Sequence, residues 1–397
     1  MPVLNNLMDN FPFTRRTNWR QETNALNKTL ADLEAEHIPV LDLTASNPTS
    51  CSFSYPEGML AVLNSPDNFQ YHPEACGMKR ARQAVANYYS RQNLQMSPND
   101  IVLTASTSEA YSFLMRLLVN PGEKILIPKP SYPLFQFLLE INDVHFDYYP
   151  LHYDGQKWRL DTVTLERSID SKTKAIILVN PNNPTGSYIS RAELNSLNEL
   201  CSKHQMAIIS DEVFFDYSLS QGDIVSCAGN QKALSFALGG LSKTMGLPQM
   251  KCAWILASGP QLVLQEALSR LEIIADTYLS VNTPVQNALG AWLKAVPALQ
   301  EQIILRVKEN WQWLEAHLND HTELLSLQGG WYATLRIPAV KSEEEWVLEF
   351  LKEDHVSVYP GYFFDFEREA YIVLSLLPPA SVFQEAVGRI MQRLAKI

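Results

Sequence analysis

The sequence predicts an α/β protein. A large domain carries a mostly parallel sheet flanked by helices, and a smaller α+β domain follows it. Three observations lead there. Short apolar runs alternate with helix-periodic segments from Ile101 to about Ala257. The runs are apolar at successive positions, Ala175 to Val179 above all, as strands covered on both faces require. After Asn282 the pattern changes to one long helical stretch and then to strands mixed with helices.

Each element follows from its local pattern. The stretch to about Thr17 is polar and reads as an arm. Ile101 to Thr104 is a strand. Ser108 to Leu118 is a helix with Ala110, Phe113, Leu114, Leu117 and Leu118 on one face. Lys124 to Ile127 is a strand and Leu134 to Ile141 a helix. Ser190 caps a helix reaching His204. Ala207 to Ser210, Ala233 to Ala237 and Cys252 to Ala257 are buried strands. The long helical stretch is expected to break near Pro297 and run to about Leu318. Strands near Trp331 to Arg336, Val356 to Tyr359 and Ile372 to Leu376, with helices at Glu343 to Leu351 and Val382 to Leu394, make the smaller domain. The expected boundaries are 1–45 for the arm and part of the small domain, 46–285 for the large domain and 286–397 for the small one.

Composition narrows the function. A net charge of −11 argues against nucleic acid and anionic membranes as partners. The five cysteines are scattered without CxxC spacing, so neither a disulfide scaffold nor a metal site is expected. The N-terminus lacks a basic start followed by an apolar run, and no stretch of about 18 apolar residues occurs. A cytoplasmic protein that does not enter membranes is the expectation.

Five short motifs carry chemistry. Lys243, in Leu241-Ser242-Lys243-Thr244-Met245-Gly246, follows a buried strand, where desolvation makes an amine nucleophilic. Asn180-Pro181-Asn182-Asn183-Pro184-Thr185-Gly186 ends the strand AIILV, where parallel sheets bind ligands. Asp211, in Ser210-Asp211-Glu212, ends another strand and suits a protonated heterocycle nitrogen. Ser106, Thr107 and Ser108 open a helix, a site for a phosphate. Tyr132, in Pro130-Ser131-Tyr132-Pro133, offers a face to a planar ring. Alone, each has an ordinary reading as a cap, a turn or a loop lysine.

In this order and spacing, over about Leu41 to Leu394, they resemble the class I/II aminotransferases, the fold type I pyridoxal-phosphate enzymes. The resemblance implies an aspartate-aminotransferase-like fold with a seven-stranded-type sheet in residues 46–285, the cofactor-binding domain. It implies pyridoxal 5'-phosphate held by Lys243 as a Schiff base, with Asp211 on the pyridinium nitrogen, Asn183 on the ring 3-oxygen and Tyr132 on the ring face. Ser106, Thr107, Ser108 and Lys251 would hold the phosphate. Tyr71 would reach the phosphate of a neighbouring subunit, which implies a homodimer. Ser46 and Asn47 would line the substrate pocket. An amino acid donor and a 2-oxo acid acceptor are implied, the freed Lys243 moving the α-proton.

Four positions depart from the family pattern. Phe214 stands where a Tyr hydroxyl is usual, Lys251 where an Arg is usual, and Gly240 where a Ser is common. Val373 falls where an Arg usually clamps the substrate α-carboxylate. Arg368 is the nearest substitute, and Arg15, Arg16 or Arg20 from the arm are others. The Val373 departure keeps a C–S lyase or decarboxylase open. A non-catalytic ligand-binding homologue is disfavoured by the retained Lys243, Asp211 and Asn183. A nicotinamide dehydrogenase is weaker still, with no GxGxxG after a strand.

Overall fold

The computed structural model describes residues 13–19, 24–220, 222–368 and 370–396. In chain order its strands are β1 (Leu41–Asp42), β2 (Ile101–Thr104), β3 (Lys124–Lys129), β4 (His145–Tyr153), β5 (Trp158–Leu160), β6 (Thr173–Val179) and β7 (Ala207–Asp211). There follow β8 (Ser235–Gly240), β9 (Ala253–Ser258), β10 (Glu323–Leu324), β11 (Tyr332–Arg336), β12 (Val356–Ser357), β13 (Tyr359–Pro360) and β14 (Tyr371–Ser375).

The central sheet runs β2-β9-β8-β7-β6-β3-β4-β5. Strands β8, β7, β6, β3 and β4 are mutually parallel, and β9 runs antiparallel between β2 and β8. The sheet has eight strands because β5 folds back antiparallel onto β4. The turn between them is built by Asp154, whose carboxylate accepts the Gln156 and Lys157 N–H groups.

Successive residues of the parallel strands enter different cores. Ile177 and Ile209 pack with Phe113 and Phe236 on one face, while Ile176 and Ile208 pack with Leu197 and Tyr149 on the other. Both faces are covered, which is why these strands read as unbroken apolar runs.

The smaller sheet, β10-β11-β14-β13, is antiparallel. Helices Glu343–Glu353 and Ala380–Leu394 pack on it around Trp346, Phe350, Phe383 and Ile390. Strand β1 pairs parallel with β12 in a separate two-stranded sheet, and Ser375 N–H of β14 donates to Leu43 O at 2.7 Å, which ties this segment to the smaller sheet.

The helix expected to break near Pro297 is continuous from Thr283 to Ala316, with Pro297 inside it. Proline leaves the carbonyl four residues back without its helical partner. Here the Arg91 guanidinium donates to that carbonyl, Leu293 O, at 3.3 Å, so the helix passes through. The first half packs with the helix Lys79–Ser90 around Trp292, and the second half enters the core of the smaller sheet at Leu299, Ile303 and Val307. Among the described residues no helix is long and apolar enough to cross a membrane.

Candidate active site

The parallel strands deliver their carboxyl ends to one edge of the sheet, where open α/β sheets bind ligands. Asp211 is the last residue of β7. The loop 180–186 leaves β6 beside it, with Asn180 N–H donating to Asp211 O at 2.8 Å. Lys243 follows β8 in the short helix Leu241–Thr244.

The loop after β6 is fixed by its own asparagines. Asn180 donates to Val225 O and accepts from Ile189 N–H. Asn182 donates to Pro130 O and accepts from Thr185. Gly186 closes the loop at φ +66°, where a Cβ would meet Leu327 Cδ1 at 2.0 Å, so only glycine fits. Asn183 is the one of the three left over. It is buried, and its amide oxygen has no partner among the described residues. Amide O and N exchange by a half turn, so this group can offer a donor or an acceptor to a ligand.

Asp211 and Lys243 perturb one another. Burial raises the Asp211 carboxyl to about 6, against the opposing pull of Val213 N–H, the Tyr111 hydroxyl and the Lys243 charge. Val213 N–H donates to Oδ1 at 3.2 Å and Tyr111 Oη to Oδ2 at 3.0 Å. Burial lowers the Lys243 amine to about 8, with Asp211 and Cys51 pulling the other way. Its Nζ donates to Ser46 O at 3.1 Å and lies 4.9 Å from the Trp331 ring centre and 5.2 Å from that of Phe214. The Tyr217 hydroxyl donates to the Lys243 backbone oxygen at 2.6 Å, fixing the turn that aims the amine.

The first turn of the helix Thr107–Leu118 lies at the same sheet edge. Ser106 caps it by accepting Glu109 N–H at 3.1 Å, and Glu109 folds back onto Ala105 N–H. The N–H groups of Thr107 and Ser108 are left without helical acceptors, as at any helix start. Tyr132 is held edge-on to Phe135, and the Asp211 charge bears on its phenol. An amine, an elevated carboxyl, an orphaned amide and a helix N-terminus fit a phosphorylated pyridine aldehyde.

The other expected site residues are placed as follows. Ser46 offers its carbonyl to Lys243, while Asn47 caps the turn Pro48–Ser50. Lys251 ends the turn Pro248–Met250 in a left-handed conformation and is exposed. Tyr71 is 70% exposed and unattached to Lys243 or Asp211 within this chain. Arg368 is exposed, and nothing joins it to Lys243, Asp211 or Asn183 among the described residues. Arg16 pairs with Asp143 at the helix Phe135–Ile141, beside Arg15, and Arg20 lies outside the described residues. Gly240 has a structural reason: a Cβ there would meet Ala253 Cβ at 2.9 Å.

The sequence reading missed Tyr111, Trp331 and Cys51. Tyr111 lies one turn into the helix that Ser106 caps, and its spacing to Ser106 was the available signal. Cys51 lies four residues past Asn47, whose carbonyl accepts its thiol at 3.3 Å, so that segment was the available signal, while Trp331 comes from a segment far from the motifs and carried none.

The comparisons give the family and the fold. The model of the family "Aminotransferase class I and II" matches residues 11–390. The glutamate-pyruvate aminotransferase AlaA of Haemophilus influenzae is 26% identical, covering 93% of this chain and 94% of its own. The alanine aminotransferase of Mycobacterium tuberculosis is 25% identical over 91% of this chain and 86% of its own. In fold, the structure of an alanine aminotransferase from Pyrococcus furiosus superposes with a TM-score of 0.87 at 23% identity, covering 97% of this chain and all of that one (100%). The tyrosine aminotransferase of Leishmania infantum gives 0.79 at 25% identity, covering 96% of this chain and 99% of its own. The chain belongs to the class I and II aminotransferases, enzymes that move an amino group with pyridoxal phosphate.

Proposed function

We propose that Lys243, Asp211, Asn183 and Tyr132, with the helix start at Ser106–Ser108, form the active site, and that it transfers the amino group of an apolar amino acid to a 2-oxo acid. The observation that carries this is the Lys243 amine. Burial leaves it near 8, so a neutral, nucleophilic fraction exists at physiological pH, on the sheet edge that carries Asp211. The names of the relatives support alanine and glutamate as the two amino acids, the amino group passing from glutamate to pyruvate to give alanine or, in reverse, from alanine to the oxo acid of glutamate with pyruvate released.

Each residue then has a role. Lys243 Nζ would hold the cofactor, and Asp211 would hold a proton on the ring nitrogen, which ends its own isolation as a buried acid. Asn183 would bond the ring oxygen and Tyr132 would cover the ring. Ser106, Thr107 and Ser108, with Lys251, would take the phosphate. When bound, pyridoxal phosphate supplies an electron sink for the pair released at the substrate α-carbon. Lys243, once released, carries the α-proton, and Trp331 and Phe214 exclude water from its amine.

A homodimer fits the exposed surface. Phe69 is 92% exposed and Tyr71 70%, and Tyr71 lines a cleft with Leu279, itself 54% exposed. Exposed Phe69, Tyr71 and Leu279 at a cleft with a polar rim suit burial against a second copy of the chain. We place the enzyme in the cytoplasm. The division proposed is an arm with part of the small domain at 1–45, a cofactor domain at 46–285 and a small domain at 286–397.

The test is the visible spectrum of purified protein supplied with cofactor. A protein-bound band lost in Lys243→Ala, and bleached by alanine with pyruvate released, is the expected result. Release of ammonia together with the oxo acid would instead mean elimination. Absence of any bound band would sink the assignment.

A further inference from the structure

By the family resemblance Val373 falls where the carboxylate-binding guanidinium is usual, and it is fully buried in β14. In register, Val373 stands opposite Thr334 of β11 and Tyr359 of β13. Directly opposed residues project to the same face, as do residues two apart, so Tyr332 and Ser375 share that face. That face looks onto the segment that touches Lys243. Ser375 Oγ donates to Ala45 O at 2.5 Å, the Tyr332 phenol meets Ser46, and the Tyr359 phenol meets Thr44. The Tyr332 ring lies 6.3 Å from that of Phe214, which covers the Lys243 amine.

Hydroxyls therefore stand where a cation is usual. Tyr332 and Tyr359 lie within electrostatic reach of each other and of Tyr132, and burial raises all three phenols, keeping them protonated donors. The Thr334 hydroxyl, buried beside Val373, has no partner among the described residues. A buried hydroxyl without a partner needs one. Among the described residues, Lys243 and Asp211 bear on one another's charge and no guanidinium bears on either. Arg306, which bears on Cys51, is engaged with the Phe53 ring at 5.4 Å and Leu377 O at 3.4 Å.

We propose that Tyr359, assisted by Tyr332 and Thr334, orients the carboxylate of the amino substrate in place of a guanidinium. This rests on the transaminase reading. Neutral donors hold a carboxylate less firmly than a two-pronged guanidinium, so the site separates a carboxylate from its neutral amide only weakly. The surrounding rings of Phe214, Trp331 and Tyr132 suit an apolar side chain.

The test is calorimetric binding of 3-phenylpropionate and of 3-phenylpropionamide to cofactor-loaded protein. Neither probe carries an amine, so binding is read without turnover. Tyr359→Phe is expected to weaken the carboxylate roughly tenfold or more and the amide by less, since bonds to charged groups are the stronger. The cofactor band should stay unchanged. Tyr332→Phe should act the same way, more weakly, and guards against a folding defect at Tyr359. Unchanged carboxylate affinity in both variants would overturn the proposal, as would wild-type protein that binds no carboxylate. So would transfer of the loss to Arg306→Gln or Arg368→Gln. A protein that binds cofactor and probe without transaminating would sink only the reaction.

Discussion

At the scale of single residues, the site trades stability for chemistry. Asp211 is the clearest case, a carboxyl raised to about 6 by burial. A raised acid binds more protons folded than unfolded between its ordinary value near 3.8 and about 6. Linkage then requires stability of the cofactor-free protein to fall as pH rises through that window, and the deficit to persist above it. Asp211→Asn removes the charge; its amide oxygen still accepts Val213 N–H, and the Tyr111 hydroxyl turns to accept from its amide N–H. It is expected to stabilise the cofactor-free protein at pH 7 by roughly 1–3 kcal/mol, after allowing for solvent at its half-buried edge. It should flatten the pH dependence between 4 and 6 and weaken cofactor binding at least tenfold. Denaturant melts at several pH values, with and without cofactor, check both. Stability that falls in the variant would refute the reading of Asp211 as a strained acid. The candidate residues Lys243, Asp211 and Asn183 were legible in the sequence because Asp211 ends a buried strand, Asn183 lies between two prolines just past another, and Lys243 follows a third ahead of Gly246 and Pro248. Tyr332 and Tyr359 were not, because nothing local marks a tyrosine whose hydroxyl meets a segment some 300 residues earlier in the chain.

At the scale of elements, local sequence decided less than tertiary contact did. The parallel strands were readable because burial on both faces leaves an unbroken apolar run. Strand β4 was not, being a partly exposed strand near the edge with a proline and aromatic residues at mixed exposure. The helix Gln261–Tyr278 was passed over because Leu262, Val263 and Ile273 point outward, which blurs the helical period. Pro297 misled for a different reason. Its break was foreseen from the missing N–H, yet Arg91 donates to the freed Leu293 carbonyl and the helix continues. If that bond is what carries the helix through, Arg91→Ala should cost roughly 1–2 kcal/mol, the price of a buried carbonyl left unpaired. In a Pro297→Ala background, where the restored N–H satisfies Leu293 O, the same substitution should cost much less. A double-mutant cycle by chemical denaturation measures the difference. Simple additivity would mean that Arg91 stabilises through packing instead.

At the scale of the whole molecule, the long helix links the core around Trp292 to the core of the smaller sheet, and the site lies between the large sheet's carboxyl edge and the face of β11, β13 and β14. The proposed substrate and cofactor contacts thus come from elements in both halves of the chain. One expected contributor, Tyr71, finds no role within its own chain. It sits with Leu279 on an outward cleft that also holds His72, Glu74 and Ser280, near the 92%-exposed Phe69. If this face joins a second copy, then Tyr71 is a ligand-binding residue displayed for that copy. The wild type is expected to sediment as a dimer at micromolar concentration. Phe69→Ser combined with Leu279→Ser should shift it toward monomer and weaken cofactor retention together. Tyr71→Phe removes only a hydroxyl, so it should leave the dimer intact while weakening cofactor binding roughly tenfold, the effect of one lost bond to a charged phosphate. Sedimentation paired with cofactor titration separates the two. A monomeric wild type that retains cofactor, indifferent to all three substitutions, would show the site to be complete within one chain.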